Sequence, residues 1–391
     1  MKIAVLGVGT AGITSLCHLL GWLPKDVEIT SIYDPNIKIL GIGESSTPDM
    51  PLNLYLGAHF SLLNDADELD ATIKLGGTYK NWRKEPFNAV MEPPSYAIHF
   101  NNFKLKEFCF SRFEKIWGNK FKVVEGRVTS LKNIGNLAEV AVDNVNYYYD
   151  YVIDCRGYPE DFSEYKVLDG MPVNHALINI IPEAGTWQTT MNQATKNGWM
   201  FGLPLKTRQG WGYLFNDTIT TREEAVADIE EMFGKTDLNL REFTFTNYHA
   251  KQFFDGRILK NGNRALFFEP MEATSGFFYE TVMRYFFDYI HNNLSLDQVN
   301  SDLLGAAEDI ENFIHYVYHG GSTFDSKFWD ITKKTSTEKL KNNQRWHATI
   351  EEVRRCHRDG VVLDNKIVSR WLVKHWVEWE EMLGYNYFNI K

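Results

Sequence analysis

A glycine-rich turn near the start of the chain has the residue types and spacing that bind a dinucleotide. Residues 7–12, GVGTAG, fit the pattern GxGxxG, follow an apolar run and open a helical stretch. The first glycine permits a tight turn, the second lets backbone approach a pyrophosphate, and the third lets the helix pack on the strand. The helix N-terminus then faces the phosphate charge. We therefore predict cofactor contacts at Gly7, Gly9, Thr10, Ala11 and Gly12.

Two acidic residues extend this nucleotide site. Asp34 lies 22 residues after Gly12 at the end of the next apolar run, where a carboxylate can hold ribose hydroxyls. The turn and this acid do not separate FAD from NAD. Residues 149–157 predict a strand that ends at Asp154 and rejoins the first sheet after an antiparallel meander. This order of elements is that of FAD-binding monooxygenase folds, so FAD is favoured. In addition, the sequence has no second GxGxxG for a nicotinamide nucleotide.

Three further segments, together with the glycine turn, resemble the flavin-dependent tryptophan halogenase family over most of residues 1–285. Residues 43–48, GESSTP, are similar to the family's GEAT-P segment. Residues 197–213 are similar to its GWxWxIPL…R-x-G-x-GY signature, and residues 269–276, EPMEATSG, to its DPLESTG segment. The resemblance implies cofactor contacts at Glu44, Ser45, Trp199, Phe201 and Pro204.

The resemblance also implies a catalytic lysine eight residues before a tryptophan, in a short helical segment. Lys74 has that position relative to Trp82, with apolar neighbours on both sides, and Lys80 is the competing candidate. Most lysines are solvated surface charges, which is the alternative for either residue. Glu272 is the implied partner, because a carboxylate among small and apolar residues is costly unless used. Its alternative role is that of an acid or cap at a helix N-terminus.

The last segment also implies a halide site. Backbone N–H groups of a glycine-containing turn bind a halide without a bulky side chain in the way. The implied halide-binding residues are Thr274, Ser275 and Gly276.

Two departures from the family pattern affect what the resemblance implies. Phe201 stands where the second tryptophan is expected, and Leu203 where isoleucine is. The resemblance implies that this motif prevents direct hydroxylation of the substrate, so the change leaves a hydroxylating side activity open. One extra residue separates Glu272 from Gly276, so we expect a reshaped halide-binding turn.

The implied reaction uses reduced FAD, dioxygen and a halide ion to form hypohalous acid, which halogenates an electron-rich aromatic substrate through the Lys74/Glu272 pair. The expected partners are a small aromatic substrate and a separate flavin reductase that supplies FADH2. Two alternatives remain: an FAD-dependent aromatic monooxygenase, and an FAD-binding protein without catalysis. No metal is expected, because His315 and His319, four residues apart, lack a third ligand and are interpreted as a packed or capping pair.

The elements that position these residues predict an α/β fold. It is an FAD-binding Rossmann core of the glutathione-reductase-like, monooxygenase type, with an antiparallel sheet and a helical C-terminal region. The predicted domains are an FAD-binding halogenase core, 1–285, interwoven with a substrate-side antiparallel sheet around 160–255, and a helical C-terminal region, 286–391. The detailed predictions are a helix at 11–20, a strand at 27–33, partly helical residues 49–85, an antiparallel meander at 122–154, and helices at 278–292, 297–319, 337–358 and 366–383.

Composition excludes several other classes of protein. The formal charge is −10 and no basic stripe reverses it, which argues against a nucleic-acid partner. No apolar run approaches the roughly 18 to 20 residues that span a bilayer, and no signal peptide precedes the first strand. The four cysteines lack CxxC spacing, which argues against a zinc site or a disulfide framework and favours a cytoplasmic location. A homo-oligomer remains possible.

Overall fold

A computed structural model describes residues 1–39, 41, 43–91, 94–236, 238–360 and 373–388. In the first part of the chain the strands are β1 (Lys2–Leu6), β2 (Glu28–Tyr33), β3 (Thr72–Lys74), β4 (Gly76–Lys80), β5 (Phe87–Val90), β6 (Ala97–His99), β7 (Phe121–Glu125), β8 (Val128–Ile134), β9 (Leu137–Val142), β10 (Val145–Tyr149) and β11 (Tyr151–Asp154). The later strands are β12 (Tyr165–Val167), β13 (His175–Ile181), β14 (Thr190–Ala194), β15 (Trp199–Pro204), β16 (Gln209–Phe215), β17 (Arg241–Thr244), β18 (Tyr248–Ala250), β19 (Phe254–Asp255), β20 (Ile258–Lys260) and β21 (Leu266–Phe267).

The described residues also form helices between and after these strands. They are α1 (Thr10–Trp22), α2 (Asp49–Ala58), α3 (Leu62–Asp65), α4 (Asn102–Trp117), α5 (Arg222–Phe233), α6 (Thr274–Ile290), α7 (Leu296–His319), α8 (Lys327–Lys341), α9 (Gln344–Arg358) and α10 (Val373–Leu383). Each helix among the described residues is too short or too polar to cross a membrane.

The chain divides into two compact units. The first, unit 1, comprises Met1–Lys74, Pro93–Val167 and Tyr248–Leu304. The second, unit 2, comprises Leu75–Glu92, Leu168–Asn247 and Gly305–Lys391. The predicted division after residue 285 stays a prediction.

Unit 1 is built on a six-stranded sheet in the order β19-β20-β11-β1-β2-β7. All neighbours in it pair in parallel except β19 with β20. Strand β1 lies inside this sheet and its apolar residues Ile3–Leu6 are fully buried, as a parallel strand covered on both faces requires. The β1–α1–β2 unit and the return of β11 beside β1 confirm the predicted Rossmann core.

The predicted meander starts later than expected. Strand β7, which the sequence analysis placed in the meander, pairs in parallel with β2 in the six-stranded sheet. The helix α4 precedes β7, and a helical crossover is the usual connection between parallel strands. The antiparallel meander is therefore limited to β8, β9 and β10.

Unit 2 contains a seven-stranded sheet in the order β17-β13-β16-β15-β14-β4-β5. All neighbouring strands in this sheet pair in antiparallel fashion except β14 with β4. The sheet therefore contains, besides the predicted strands around 160–255, the two strands β4 and β5 from residues 76–90. Helix α5, which the sequence analysis missed, covers buried Leu177, Met200 and Tyr213 with its Ala225 and Ile229. A capping box, in which Thr221 and Glu224 bind each other's backbone, starts α5.

The C-terminal helices agree with the sequence pattern in part. The predicted helices at 278–292 and 297–319 are α6 and α7. The predicted helix at 337–358 is two helices, because α8 ends at Lys341 and Asn343 caps α9 by accepting a hydrogen bond from the Trp346 N–H. For the predicted helix at 366–383, residues 366–372 lie outside the described residues and the rest is α10.

The His315/His319 pair is a packing contact, as the sequence analysis expected. The Nδ1 atoms of His315 and His319 are hydrogen-bonded to Ser336 and Thr337 of α8, at 3.1 and 2.9 Å. Within the part of the chain that the structure describes, no group of three or more His, Cys, Asp or Glu side chains could hold a metal ion.

Candidate active site

The glycine turn between β1 and α1 has the geometry of an anion cradle. Gly7 has φ +96°, and a Cβ there would lie 2.7 Å from the carbonyl oxygen of Cys155. Gly12 packs against the carbonyl of Gly7 with no room for a side chain, whereas Gly9 faces open space. The first turn of α1 has neither a side-chain cap nor an acidic residue, so the N–H groups at Thr10 and Ala11 meet no competing negative charge. These features fit the pyrophosphate of FAD.

The three predicted acidic contacts differ in how their carboxylates are used within the protein. Asp34 follows β2, and only its Oδ1 is hydrogen-bonded among the described residues, to the backbone and side-chain N–H groups of Asn36. Glu44 is buried and accepts the backbone N–H of Asn102 at 3.1 Å. Of the three, Asp34 best fits a group that binds ribose hydroxyls.

Asp154, the third of these acids, ends β11. Its two oxygens accept hydrogen bonds from Arg156 at 2.8 Å each, and Oδ2 also accepts one from Arg264 at 3.3 Å. Burial alone would raise the pKa of Asp154, but the two guanidinium groups hold it below its usual value. This carboxylate therefore has a structural task, and its predicted contact with the cofactor stays a prediction.

Lys74 ends β3 and is on a strand, which corrects the short helical segment that the resemblance implied. Its side chain is buried, at 4% exposure, and Nζ donates hydrogen bonds to Ser45 Oγ and to the carbonyl oxygen of Ser46, both at 3.0 Å. Burial lowers the pKa of Lys74, and the negative charge of Glu272 opposes that shift. The competing candidate Lys80 ends β4 and is exposed.

Glu272 lies in unit 1 with Lys74, close enough for each charge to act on the other. Burial raises the pKa of Glu272, and the charge of Lys74 opposes the shift. Glu272 has φ +54° and ψ 22°, and the next residue, Ala273, is also left-handed at φ +54°. Left-handed backbone at a residue other than glycine costs about 1–2 kcal/mol, and such strain clusters at functional sites. The turn is thus held in a conformation that the sequence does not favour locally.

The predicted halide-binding residues form the first turn of α6. Ala273 caps this helix without a side-chain hydrogen bond, and the first turn carries no acidic residue. The hydroxyl of Thr274 is buried and has no hydrogen-bond partner among the described residues, and the same holds for Thr47. A Cβ built at Gly276 would lie 4.0 Å from Thr47 Cγ2. Orphaned hydroxyls beside the positive end of a helix fit an anion such as halide.

The three predicted flavin contacts in unit 2 lie on β15. Trp199 is fully buried, and its indole N–H has no partner among the described residues. Phe201 pairs with Gly212 of β16, and its ring occupies the space where a Cβ of Gly212 would be. Pro204 ends the strand. Their contacts with flavin stay predictions.

Three contributors to the site were missed by sequence reasoning. They are the carbonyl of Ser46, the hydroxyl of Thr47 and His99. His99 is buried on β6, and burial together with the charge of Lys74 lowers its pKa well below the usual value. The segment GESSTP contained a signal for the hydroxyl of Thr47, because this hydroxyl residue lies inside the motif. The backbone carbonyl of Ser46 has no signal of residue type. A single histidine on a short strand carries no comparable signal.

Comparisons with known proteins agree with these features. The family model described as "Tryptophan halogenase" matches residues 2–118 and 86–360. Tryptophan 7-halogenase KtzQ of Kutzneria sp. (strain 744) is 22% identical, and the alignment covers 85% of this chain and 78% of that protein. Tryptophan 7-halogenase RebH of Lentzea aerocolonigenes is 23% identical, with 85% and 79% covered. The structure of Xcc4156, a flavin-dependent halogenase from Xanthomonas campestris, is similar with a TM-score of 0.81 and 17% identity, covering 98% of this chain and 88% of that chain.

Proposed function

We propose that the chain, which belongs to the tryptophan halogenase family and is a flavin-dependent halogenase, halogenates its aromatic substrate through Lys74 and Glu272. The observation that carries this proposal is the pairing of the buried Lys74 with the partly buried Glu272 within unit 1, where the charge of each opposes the effect of desolvation on the other's pKa. An ionisable pair whose pKa values are shifted in this way marks a functional-site candidate.

The enzyme uses reduced FAD, dioxygen and a halide ion. When bound, reduced FAD supplies the electrons with which dioxygen and halide give hypohalous acid. The residues that would hold the phosphates are those of the glycine turn, and Asp34 would hold the ribose. The first turn of α6 would hold the halide, with its N–H groups and the hydroxyl of Thr274 as donors.

Lys74 directs the oxidant to the substrate in this proposal. As an ammonium it donates a hydrogen bond to the oxygen of hypohalous acid, which makes the halogen more electrophilic. As a neutral amine it attacks the halogen: an N–halogen bond forms, the halogen–oxygen bond breaks, and the leaving hydroxide takes the amine proton as water. Burial lowers the pKa of Lys74, which favours the neutral form, and Glu272 favours the cation.

Glu272 acts on the aromatic ring. Its carboxylate stabilises the cationic ring intermediate and takes the proton from the carbon that has gained the halogen. Burial raises the pKa of Glu272, and a carboxylate with a higher pKa is a stronger general base.

The substrate in this proposal is an electron-rich arene. A separate flavin reductase supplies FADH2, because only one GxGxxG is present in the sequence. The four buried thiols support a reducing, cytoplasmic location. Because Phe201 stands in place of the family's second tryptophan, hydroxylation is the alternative reaction to be tested.

The test is mass spectrometry of products from purified protein, FAD, a reductase with NADH and a panel of arenes including tryptophan. Chloride, bromide and iodide are supplied separately, with catalase present. Lys74→Ala is expected to lower halogenation at least about 100-fold, the loss typical when one electrostatic donor is removed from an active site, while FAD binding and peroxide release continue. The exposed Lys80→Ala is the matched control and keeps wild-type turnover.

Two outcomes would contradict the proposal. Wild-type halogenation by Lys74→Ala would remove the lysine from the mechanism. A product that gains oxygen and no halogen would favour the monooxygenase that the sequence analysis left open.

A further inference from the structure

The amine of Lys74 is held by a short segment that is itself fixed to the neighbouring strand. The backbone of Ser46 is tied to Ile98 of β6, because the Ser46 N–H donates to the Ile98 carbonyl at 3.0 Å. The Ser46 hydroxyl also exchanges hydrogen bonds of 2.9 Å with the backbone of Ile98. Ser45 forms a β-bridge with His99, on the same strand. Because β6 pairs with β3, the strand of Lys74, the positions of Ser45 and Ser46 are fixed relative to the backbone of Lys74.

Two hydrogen bonds to this segment fix the direction in which Lys74 can react. A lysine nitrogen is tetrahedral, and one of its four directions is its bond to Cε. Hydrogen bonds to Ser45 Oγ and to the Ser46 carbonyl, both 3.0 Å, take two more. One direction remains, and it carries an N–H in the ammonium and the lone pair in the neutral amine. The reactive direction is therefore the same in both protonation states.

Ser45 supplies its acceptor from a side chain, whereas Ser46 supplies its acceptor from the backbone. The family segment GEAT-P that residues 43–48 resemble has alanine at the position of Ser45, and alanine has no acceptor. The hydroxyl of Ser45 can be removed by substitution without touching the Ser46 carbonyl.

We propose that Ser45 is a positioning residue for halogenation, because its hydroxyl aims the remaining direction of the Lys74 nitrogen at the oxidant. This inference rests on the proposed role of Lys74. It gives Ser45 a task that differs from the flavin contact implied by the resemblance.

The inference also predicts how the pH dependence of the reaction changes when the Ser45 hydroxyl is removed. An acceptor that binds the ammonium stabilises the charged form, so loss of the Ser45 hydroxyl lowers the pKa of Lys74 further. The other titratable groups around Lys74 are Glu272, whose charge opposes the shift, and His99, whose pKa is already well below its usual value. A displacement of the pH profile toward lower pH therefore reports on Lys74.

The experiment compares Ser45→Thr with Ser45→Val, which have nearly the same shape and differ in one hydroxyl. Both are assayed in the complete reaction for kcat, KM for the arene, halogenated product per FADH2 consumed, and the pH profile. Ser45→Thr keeps the hydroxyl, so it is expected to keep a higher kcat than Ser45→Val and the pH profile of the wild type. Ser45→Val is expected to lose roughly tenfold in kcat, the worth of a hydrogen bond to a charged group, with KM nearly unchanged, less product per FADH2 and a profile moved to lower pH.

The outcomes separate this inference from the proposed function. If Lys74→Ala is inactive but Ser45→Val and Ser45→Thr share one rate and one pH profile, Ser45 does not position the lysine and the proposed function stands. If Lys74→Ala halogenates normally, the proposed function fails first. If Ser45→Val does not fold, Ser45→Ala replaces it against the same Ser45→Thr reference.

Discussion

At the scale of single residues, Thr274 combines burial with an orphaned hydroxyl. The residue is 2% exposed, and Oγ1 has no hydrogen-bond partner among the residues that the structure describes. A buried polar group without a partner costs about 1–3 kcal/mol. A halide at the start of α6 would accept this hydrogen bond. The hydroxyl therefore favours halide binding but lowers the stability of the halide-free protein.

Thr274→Val therefore separates the two effects. It replaces the hydroxyl with a methyl group and leaves the backbone N–H in place. We expect KM for halide to rise roughly tenfold, since a hydrogen bond to an anion is lost. In halide-free buffer we expect the free energy of unfolding to rise by about 1 kcal/mol, since the unsatisfied group is gone. Steady-state kinetics with varied bromide and urea unfolding measure the two quantities.

Thr274→Ser is the control, because it keeps the hydroxyl and loses one methyl group. It is expected to keep KM for halide within about twofold of wild type while losing roughly 1 kcal/mol of stability. An unchanged KM in Thr274→Val would exclude the hydroxyl from the halide site.

At the scale of elements, the carboxyl end of β11 is joined to the segment before β21 by a charge cluster in which a buried carboxylate meets two partly buried arginines. Asp154, 3% exposed, receives hydrogen bonds from Arg156 and Arg264. The pKa of Asp154 lies below its usual value because the arginines overcome the effect of burial. A lowered pKa means that this stabilisation is fully present above the unfolded value of about 3.9 and is lost as pH falls through the folded value.

Asp154→Asn is expected to lower the free energy of unfolding at pH 7 by about 3 kcal/mol, because two arginines lose their anion. The difference from wild type should shrink as pH falls below about 4, because the carboxylate of the unfolded wild-type chain is protonated there while the folded one is protonated only at a lower pH. Urea unfolding at pH 7, 4 and 3 measures this difference.

Glu164→Gln is the control, because Glu164 pairs with Lys260 at 3.0 Å and its side chain is 76% exposed. This substitution should lower the free energy of unfolding by less than about 1 kcal/mol. An equal loss in both variants would contradict the role of Asp154.

The elements that the sequence predicted correctly are those whose signals are local. The β1–α1–β2 unit could be predicted because strand, glycine turn and helix follow one another in the chain. The position of β7 could not, because Phe121 pairs with Ile29, and pairing between distant strands leaves no local pattern. Helix α5 was missed although its capping box, Thr221 and Glu224, is visible in the sequence.

The site shows the same limit. Motif resemblance predicted Lys74, Glu272 and Ser45, and the structure brings them into one unit. The contact between Lys74 and the carbonyl of Ser46 could not be predicted, because a backbone oxygen has no residue type. The left-handed conformation of Glu272 and Ala273 also has no signal, since neither residue favours it.

At the scale of the whole molecule, the four cysteines report on local unfolding within each of the two units. Cys17, Cys109 and Cys155 lie in unit 1 and Cys356 in unit 2, and all four are buried. Burial raises the pKa of the Cys17 and Cys155 thiols, and the thiolate is the reactive form. Labelling by a thiol reagent therefore requires local or global opening of the unit that holds the thiol.

FAD is expected to slow the labelling of Cys17, Cys109 and Cys155, because a ligand that binds only the folded form stabilises it by mass action. At FAD equal to 100 times its Kd the slowing should be about 100-fold for openings that release the ligand. Mass spectrometry after timed N-ethylmaleimide pulses measures each thiol.

Gly9→Val is the control: Gly9 has an extended φ of −68° and ψ of −179° and faces open space, so valine fits the fold but blocks the phosphate. It should label like ligand-free wild type at every FAD concentration. Equal slowing in Gly9→Val would place FAD away from the glycine turn, and no slowing in wild type would show that unit 1 opens without releasing the cofactor.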